Sequence, residues 1–288
     1  MQELNTMLKE KVIDLNFTLS QKYGDILKLG KKEIRELINT HVGQIKKMSK
    51  LDQRQLSIYE SKGGIVGVDG SVNKLGGAYP HFVEVYQALA KSTTHRDDSV
   101  ILADIYTPLD TDYEESPLGS EEGISENNRN IKLSTIEVDA AIESVTKHQP
   151  YAILMDGGLI RYNINAHDRW IKLRNLCEEK GIILVGVIKD IKTSIIGDKI
   201  KELDNTIKDS FYDRELLFGQ LDYGEMVLIS DEANKKGPKG YASVFLRSSL
   251  APSVIGMDII DSQREHIEDM ARLVFTLTPE NSRGVPLW

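Results

Sequence analysis

The sequence predicts an α/β protein in which helices flank a mixed β-sheet and an N-terminal helical arm precedes the sheet domain. Short apolar runs at residues 65–69 and 152–156 each end in an acid followed by glycine, as buried strands that stop at a turn do. Between residues 134 and 188 helical and strand patterns alternate, which indicates a parallel crossover unit. Together these observations predict a sheet that contains parallel strands.

The first 62 residues are polar and helix-prone, and they form the predicted arm. Apolar residues recur at three-to-four spacing from residue 4 to residue 15 and again from residue 34 to residue 38, and no proline precedes position 80. We expect the arm to pack on the main domain or on a second copy of the chain. Residues 63–288 then form the main domain.

The main domain begins with three predicted strands, over residues 65–69, 78–89 and 100–107, which favour an antiparallel meander. The acidic segment 108–127 contains proline, glycine and serine, and it predicts a surface loop. The later elements are a helix over 134–145, the strand that ends at Asp156, a helix over 166–180, a strand over 182–188, a helix over 194–209, strands near 226–229, 243–247 and 254–260, and a last helix over 266–277.

Composition narrows the class of protein. Of the 288 residues 40% are hydrophobic and 28% charged, which is ordinary for a globular protein, and no window approaches the length of an apolar membrane span. The single cysteine, Cys177, excludes an internal disulfide and a multi-cysteine metal site, so a reducing cytoplasm is the simplest location. The net charge of −8 argues against nucleic-acid binding by bulk electrostatics. It still allows an enzyme that handles phosphates through bound cations.

Three acids are candidates for one site. Asp69 and Asp156 end strands, and Glu137 lies in the helix that leads to the second strand. Because like charges about 4 Å apart repel by roughly 4 kcal/mol at an effective dielectric of 20, such a cluster needs a shared proton or a divalent cation. Oxygen ligands without cysteine favour Mg²⁺ or Mn²⁺, and two such ions can assist phosphodiester cleavage. Lys189, at a third strand end, is then a candidate contact for a DNA phosphate.

Each of these residues also has a structural interpretation. Ser134-x-x-Glu137 matches a capping box, and spacing alone favours capping over metal ligation. Asp156 is also placed to cap the turn before Arg161. Lys189 and Asp190 are also explained as a solvated strand end.

The ordered motifs resemble the NurA nuclease domain family, whose members work with the HerA hexameric ATPase at DNA ends. The matching segments are Val66 to Ser71, the helix that carries Glu137, Leu154 to Gly158, and Gly186 to Asp190. Their order and spacing fit from about residue 60 to about residue 200, with a looser similarity to the end of the sequence.

The resemblance implies an RNase H-like fold and a manganese-dependent 5′-to-3′ exonuclease with single-strand endonuclease activity. It assigns the catalytic and metal-binding carboxylates to Asp69, Glu137 and Asp156, with Glu143 as the alternative to Glu137, and so favours ligation by Glu137 over capping. It also implies DNA and a HerA-type ATPase as partners, and a homodimer to which the arm contributes.

The sequence departs from the family pattern at two places. Gly157-Gly158 stands where Gly-Ser is more usual, a change that leaves the acid in place. The last six residues resemble the start of the closing family segment, after which a further His or Asp normally completes the site, so truncation and impaired activity are expected.

The function predicted by these features is that of a metal-dependent DNA nuclease. One rival is a degenerate nuclease fold that serves as an adaptor for a ring ATPase. The other is a nucleotide-binding phosphotransferase of the actin and sugar-kinase type, which needs a second glycine-rich phosphate loop; residues 226 to 260 offer only scattered glycines.

Overall fold

A computed structural model describes residues 6–27, 29–110, 121–203, 211–282 and 284–286. Within these residues nine strands form one sheet in the order β1-β7-β8-β9-β6-β5-β2-β3-β4. The strands are β1 (Gly43–Lys47), β2 (Ile65–Gly76), β3 (Phe82–Ser92), β4 (Val100–Tyr106), β5 (Ala152–Asp156), β6 (Ile183–Ile188), β7 (Glu225–Ile229), β8 (Tyr241–Leu246) and β9 (Ile255–Ile260).

Helices precede the sheet, connect its strands and cover its faces. They are α1 (Thr6–Leu27), α2 (Lys31–His41), α3 (Gln53–Ser61), α4 (Glu121–His148), α5 (Leu159–Asn165), α6 (His167–Lys180), α7 (Ile195–Leu203), α8 (Asp213–Leu216) and α9 (Ile267–Leu277). Short 3₁₀ turns precede β8 and α9. None of the helices in the described residues is both long enough and apolar enough to cross a bilayer.

The centre of the sheet confirms the predicted fold class. Strands β2, β3 and β4 form an antiparallel meander, and β5 and β6 then add in parallel beside β2. Helix α4 connects the meander to β5, and α5 with α6 connects β5 to β6. This order, with one antiparallel strand between parallel neighbours, is that of an RNase H-like fold.

Burial explains why the two central parallel strands have continuous apolar sequences. Residues alternate between the two faces of each strand, so Val68 and Met155 pack under α4 on one face, whereas Leu154 and Val185 pack against α9 on the other. Both faces are covered, and parallel strands in that setting need no polar alternation. Burying each such side chain contributes roughly 1.5–3 kcal/mol.

Several segments differ from the sequence prediction. Strand β2, predicted over 65–69, continues to Gly76, and Leu159–Asn165 form a helix that was not predicted. Residues 43–47 form a strand rather than part of a helical arm, because β1 pairs antiparallel with β7 and extends the sheet. Residues 121–127, predicted to belong to a surface loop, form the first turns of α4. The rest of the predicted loop after residue 110, residues 111–120, lies outside the described residues, as do residues 204–210 of the predicted helix over 194–209.

Helix α1 projects apolar side chains into solvent. Its contacts with the body of the protein include those of Tyr23, whose hydroxyl donates a hydrogen bond to Oε1 of Glu215 at 2.9 Å and whose ring lies 5.5 Å from that of Phe211. Large apolar residues along the helix are between 43% and 68% exposed: Met7, Leu8, Val12, Ile13, Leu15, Phe17 and Leu19. The division into an arm over 1–62 and a domain over 63–288 stays a prediction.

Candidate active site

The register of β2 and β5 brings Asp69 and Asp156 side by side where β5 ends. The predicted strand end at Asp69 is wrong, because β2 continues through Gly70 to Gly76, paired with β3. The strands run parallel, and Val68 pairs with Met155. Asp69 and Asp156 are the next residues on each strand, so they lie side by side. Asp156 in turn pairs with Val187 of β6, and Lys189 follows two residues later. Three neighbouring strands therefore present two carboxylates and one ammonium where β5 ends.

The two aspartates interact strongly. Burial raises the pKa of Asp69, and the charge of Asp156 together with a hydrogen bond between the two carboxyl groups raises it further. Lys189 and the backbone N–H of Gly70, which donates to Oδ1 of Asp69 at 2.8 Å, act in the opposite direction. Two carboxylates this close are stable only with a shared proton or a nearby cation.

Glu137 reaches the same place from helix α4 through a gap that Gly70 leaves. A Cβ atom at position 70 would lie only 2.7 Å from Cγ and Oε1 of Glu137. Glu137 is only 1% exposed. Burial raises the pKa of Glu137 to about 7, opposed by the charge of Arg161 and a hydrogen bond with Tyr162, while Asp69 raises it further. The structure therefore gathers Asp69, Glu137 and Asp156 around one strand end.

The capping-box interpretation of Glu137 is wrong. Helix α4 begins at Glu121, so Ser134 lies in its interior, where every backbone N–H already has a helical partner. The Ser134 hydroxyl instead accepts a hydrogen bond from Nδ2 of Asn165 at 3.2 Å. Glu143, the alternative to Glu137, lies almost two turns further along α4 and is exposed.

Two cationic side chains pair with two of the three carboxylates of this cluster. Nζ of Lys189 lies 2.5 Å from Oδ2 of Asp156, and Nη2 of Arg161 donates to Oε2 of Glu137. Lys189 is therefore more than a solvated strand end. Asp190 is directed elsewhere and pairs with Arg214, and Gly158, not Asp156, occupies the N-cap position of α5.

Arg161 contacts the cluster although no sequence motif predicted it. This residue lies in the first turn of α5, directly after the Gly157-Gly158 turn. Its Nη2 also donates to the hydroxyl of Tyr162 at 2.9 Å, and that hydroxyl donates to the backbone oxygen of Asp156 at 3.2 Å. An arginine one helical turn beyond a strand-end acid is the signal that could have identified it, because the glycine turn folds that helix back over the strand end.

A buried ion pair lies behind the site and was also missed. Asp258 of β9 is fully buried, and its two carboxylate oxygens accept from Nζ of Lys236 at 2.7 and 2.8 Å and from Oγ of Ser243 at 2.8 Å. A Cβ atom at Gly158 would lie 3.3 Å from Oδ2 of Asp258. An acid inside an otherwise apolar strand was the available signal.

The carboxylates fit a hard divalent cation by their chemistry, since they offer oxygen donors alone. Over the described part of the chain, no three His, Cys, Asp or Glu side chains are arranged to hold a metal ion. Glu137 is paired with Arg161 and Asp156 with Lys189, so two of the three carboxylates already contact a cationic side chain.

Solved structures of nucleases are remotely similar to the chain. The catalytic domain of human Endonuclease V has 15% sequence identity and a TM-score of 0.41, with 91% of this chain and 90% of that chain covered. Endonuclease V of Bacillus subtilis has 14% identity and a TM-score of 0.41, with 88% and 84% covered. A. aeolicus Argonaute has 13% identity and a TM-score of 0.33, with 77% of this chain and 26% of that chain covered. No curated protein matches the sequence.

The family comparison covers most of the chain. The NurA domain profile matches residues 63–288. That range includes Asp69, Asp156 and Glu137, together with Arg161 and Lys189. The family is of the kind that uses divalent metals, and membership supports a nuclease. The chain belongs to the NurA domain family.

Proposed function

We propose that the chain is a metal-dependent nuclease that hydrolyses phosphodiester bonds in DNA. The observation that carries the proposal is the convergence of Asp69, Asp156 and Glu137 at one strand end, with Glu137 passing through the space above Gly70. Carboxylates that crowd together in a buried site are arranged for a ligand of opposite charge.

In this proposal Asp69, Glu137 and Asp156 hold one or two Mn²⁺ or Mg²⁺ ions. When bound, these ions polarise the phosphodiester and lower the pKa of the attacking water. Asp69 and Asp156 orient the ions from the sheet edge, and Glu137 closes the site from the helix side. Lys189, released from Asp156, contacts a DNA phosphate and offsets its charge.

Substitution of Asp69 tests the proposal directly. Asp69→Ala is expected to abolish metal-dependent degradation of a labelled single-stranded oligonucleotide while the thermal unfolding curve stays cooperative. Asp190→Asn is the matched control, because Asp190 follows the neighbouring strand but pairs with Arg214 outside the cluster. Unchanged degradation by Asp69→Ala would refute the proposal.

The direction and strand preference of DNA cleavage are proposed from the family resemblance. We propose 5′-to-3′ exonuclease action and single-strand endonuclease action in DNA end processing and repair in the cytoplasm. Comparison of 5′-labelled with 3′-labelled substrates distinguishes the direction of digestion. Shortening that releases the 5′ label first is the expected result, and release of the 3′ label first contradicts it.

We propose a homodimer and a HerA-type hexameric ATPase as partners. The exposed apolar residues of α1 support the dimer, because such a surface is stable in water mainly when another surface covers it. Light scattering should give twice the chain mass for the wild type. Phe17→Glu, which places a charge among these residues, should shift it toward one chain mass; an unchanged dimer would exclude α1 from the interface.

One observation favours the alternative of a catalytically impaired NurA-like adaptor that binds a ring ATPase. The pairing of Arg161 and Lys189 with Glu137 and Asp156 satisfies the carboxylates without a metal. Calorimetric titration with Mn²⁺ separates the two functions. Binding that Asp69→Ala abolishes supports the nuclease, and no binding at millimolar Mn²⁺ supports the adaptor.

A further inference from the structure

We infer that Arg161 is a phosphate-binding residue of this site, held on Glu137 until a divalent cation takes over that carboxylate. The inference rests on the proposed function and adds a second phosphate contact to that of Lys189. The ligand of Arg161 is a phosphodiester oxygen of the DNA strand. Arg161 makes this contact only when the metal is bound.

The hydrogen bonding of Arg161 is incomplete in a way that points to a ligand. Nη2 donates to Glu137 and to the Tyr162 hydroxyl. Nε is buried and has no hydrogen-bond partner in the part of the chain that the structure describes. Buried N–H groups without partners are rare because each costs about 1–3 kcal/mol. A phosphate oxygen is an acceptor that Nε and a neighbouring Nη atom bind together.

The guanidinium group is held in place at the strand end. A Cβ atom at Gly157, where φ is +140°, would lie 3.2 Å from Cζ and 3.3 Å from Nε of Arg161. The glycine therefore lets the guanidinium lie against the backbone immediately after Asp156. On another side Cζ lies 4.6 Å from the centre of the Tyr162 ring, a cation–π contact. The guanidinium is therefore held between the Gly157 backbone and the Tyr162 ring, next to Glu137.

Arg161 and a metal ion compete for the same carboxylate. While no other cation is near, the charge of buried Glu137 requires the guanidinium. A divalent cation bound to Glu137 would balance the negative charge of this carboxylate in place of Arg161. Its positive charge would also repel the guanidinium toward the incoming phosphate. Arginine suits this exchange because its planar fork donates to carboxylates and phosphates in the same bidentate geometry. Arg161 should therefore strengthen DNA binding only when a cation is present.

The test measures binding of a fluorescently labelled single-stranded oligonucleotide by anisotropy, in EDTA and in Ca²⁺, used as a hard divalent cation in place of Mn²⁺. Arg161→Gln is expected to weaken binding about tenfold in Ca²⁺ and less than about twofold in EDTA. Arg169→Gln is the matched control, because it also removes an arginine that pairs with an α4 carboxylate, Asp139, outside the cluster. The control should lose the same small factor in both buffers.

The possible results of this experiment separate the inference from the proposed function. Equal weakening of Arg161→Gln in both buffers, or none in either, overturns the inference while the proposed function stands. A wild-type chain that binds the oligonucleotide in neither buffer overturns the proposed function together with the inference. If Arg161→Gln does not unfold cooperatively, Arg161→Lys replaces it. Lysine keeps the positive charge but lacks the bidentate donor geometry of the guanidinium, so DNA binding should weaken about fivefold in Ca²⁺ and not in EDTA. An equal loss of binding in EDTA overturns the inference.

Discussion

Gly70→Ala adds one methyl group at the point where helix α4 meets the middle of β2. The new Cβ would lie 2.7 Å from Cγ and Oε1 of Glu137 and 2.8 Å from Cδ1 of Leu133, whereas ordinary contacts begin near 3.4 Å. The backbone of Gly70 lies outside the positive-φ region, so alanine itself is not strained there. The substitution therefore acts through Glu137 and Leu133, which must move by more than half an ångström.

The expected magnitudes follow from that displacement. Overpacking of this kind costs about 1–3 kcal/mol of stability, measurable by urea denaturation. A shift of about 1 Å in a metal-binding carboxylate lowers the rate of metal-dependent DNA cleavage by about 100-fold. Gly77→Ala is the control, because its nearest contact with a new Cβ is 3.8 Å, from the oxygen of His81. That variant should cleave DNA at the wild-type rate.

A double substitution separates displacement of Glu137 from general damage. Gly70→Ala combined with Glu137→Gln should be no slower than Glu137→Gln alone, because both changes act on the same carboxylate. Multiplied losses would show that Gly70→Ala disturbs something else. Wild-type cleavage by Gly70→Ala would refute the idea that Glu137 must occupy the space above Gly70.

Three further predictions concern groups outside the metal site. Arg129→Met should lower the free energy of unfolding by about 3 kcal/mol, because it leaves the buried Glu84 carboxylate without the arginine that donates to it. Lys147→Met breaks the exposed pair with Asp98 and should change the free energy of unfolding little. Equal effects of the two substitutions would contradict this reasoning. Burial and the charge of His95 lower the pKa of His148, whose ring nitrogens are buried and unpartnered among the described residues. The folded state thus resists protonating His148, and stability should fall as the pH drops below about 6.5; in melting curves His148→Gln should flatten that fall and exposed His167→Gln should not. Burial raises the pKa of Cys177 to about 12, so a thiol reagent should label it only after unfolding, and fast labelling of the native chain would contradict its burial.

The proximity of Asp69 and Asp156 could be predicted from sequence, because a parallel crossover brings the two apolar runs side by side. The acid and glycine mark the end of β5 as predicted, but β2 continues past Asp69 and Gly70 to Gly76 because β3 keeps pairing with it. Glu137 was assigned by family resemblance against a local signal. The capping box failed because helix α4 begins at Glu121, thirteen residues before Ser134, so Ser134 lies in the helix interior.

The remaining differences have tertiary causes that no local pattern carries. Residues 43–47 have little strand periodicity, and they are extended because β7 offers an unpaired edge to them. The ion pair of Lys236 with Asp258 joins segments 22 residues apart through the pairing of β8 with β9. The contact of Arg161 with Glu137 likewise depends on how α5 folds back over the sheet edge.

In the proposed function, the carboxylates of Asp69, Glu137 and Asp156 bind one divalent centre. Crystals soaked in Mn²⁺ test it through the anomalous scattering of manganese. We expect an anomalous peak for manganese within about 2.0–2.6 Å of carboxylate oxygens of Asp69 and Asp156. Glu137 should point at the same centre, and Arg161 should have moved away from it. A map with no peak there at millimolar Mn²⁺, and with Arg161 and Lys189 still paired to Glu137 and Asp156, would contradict it.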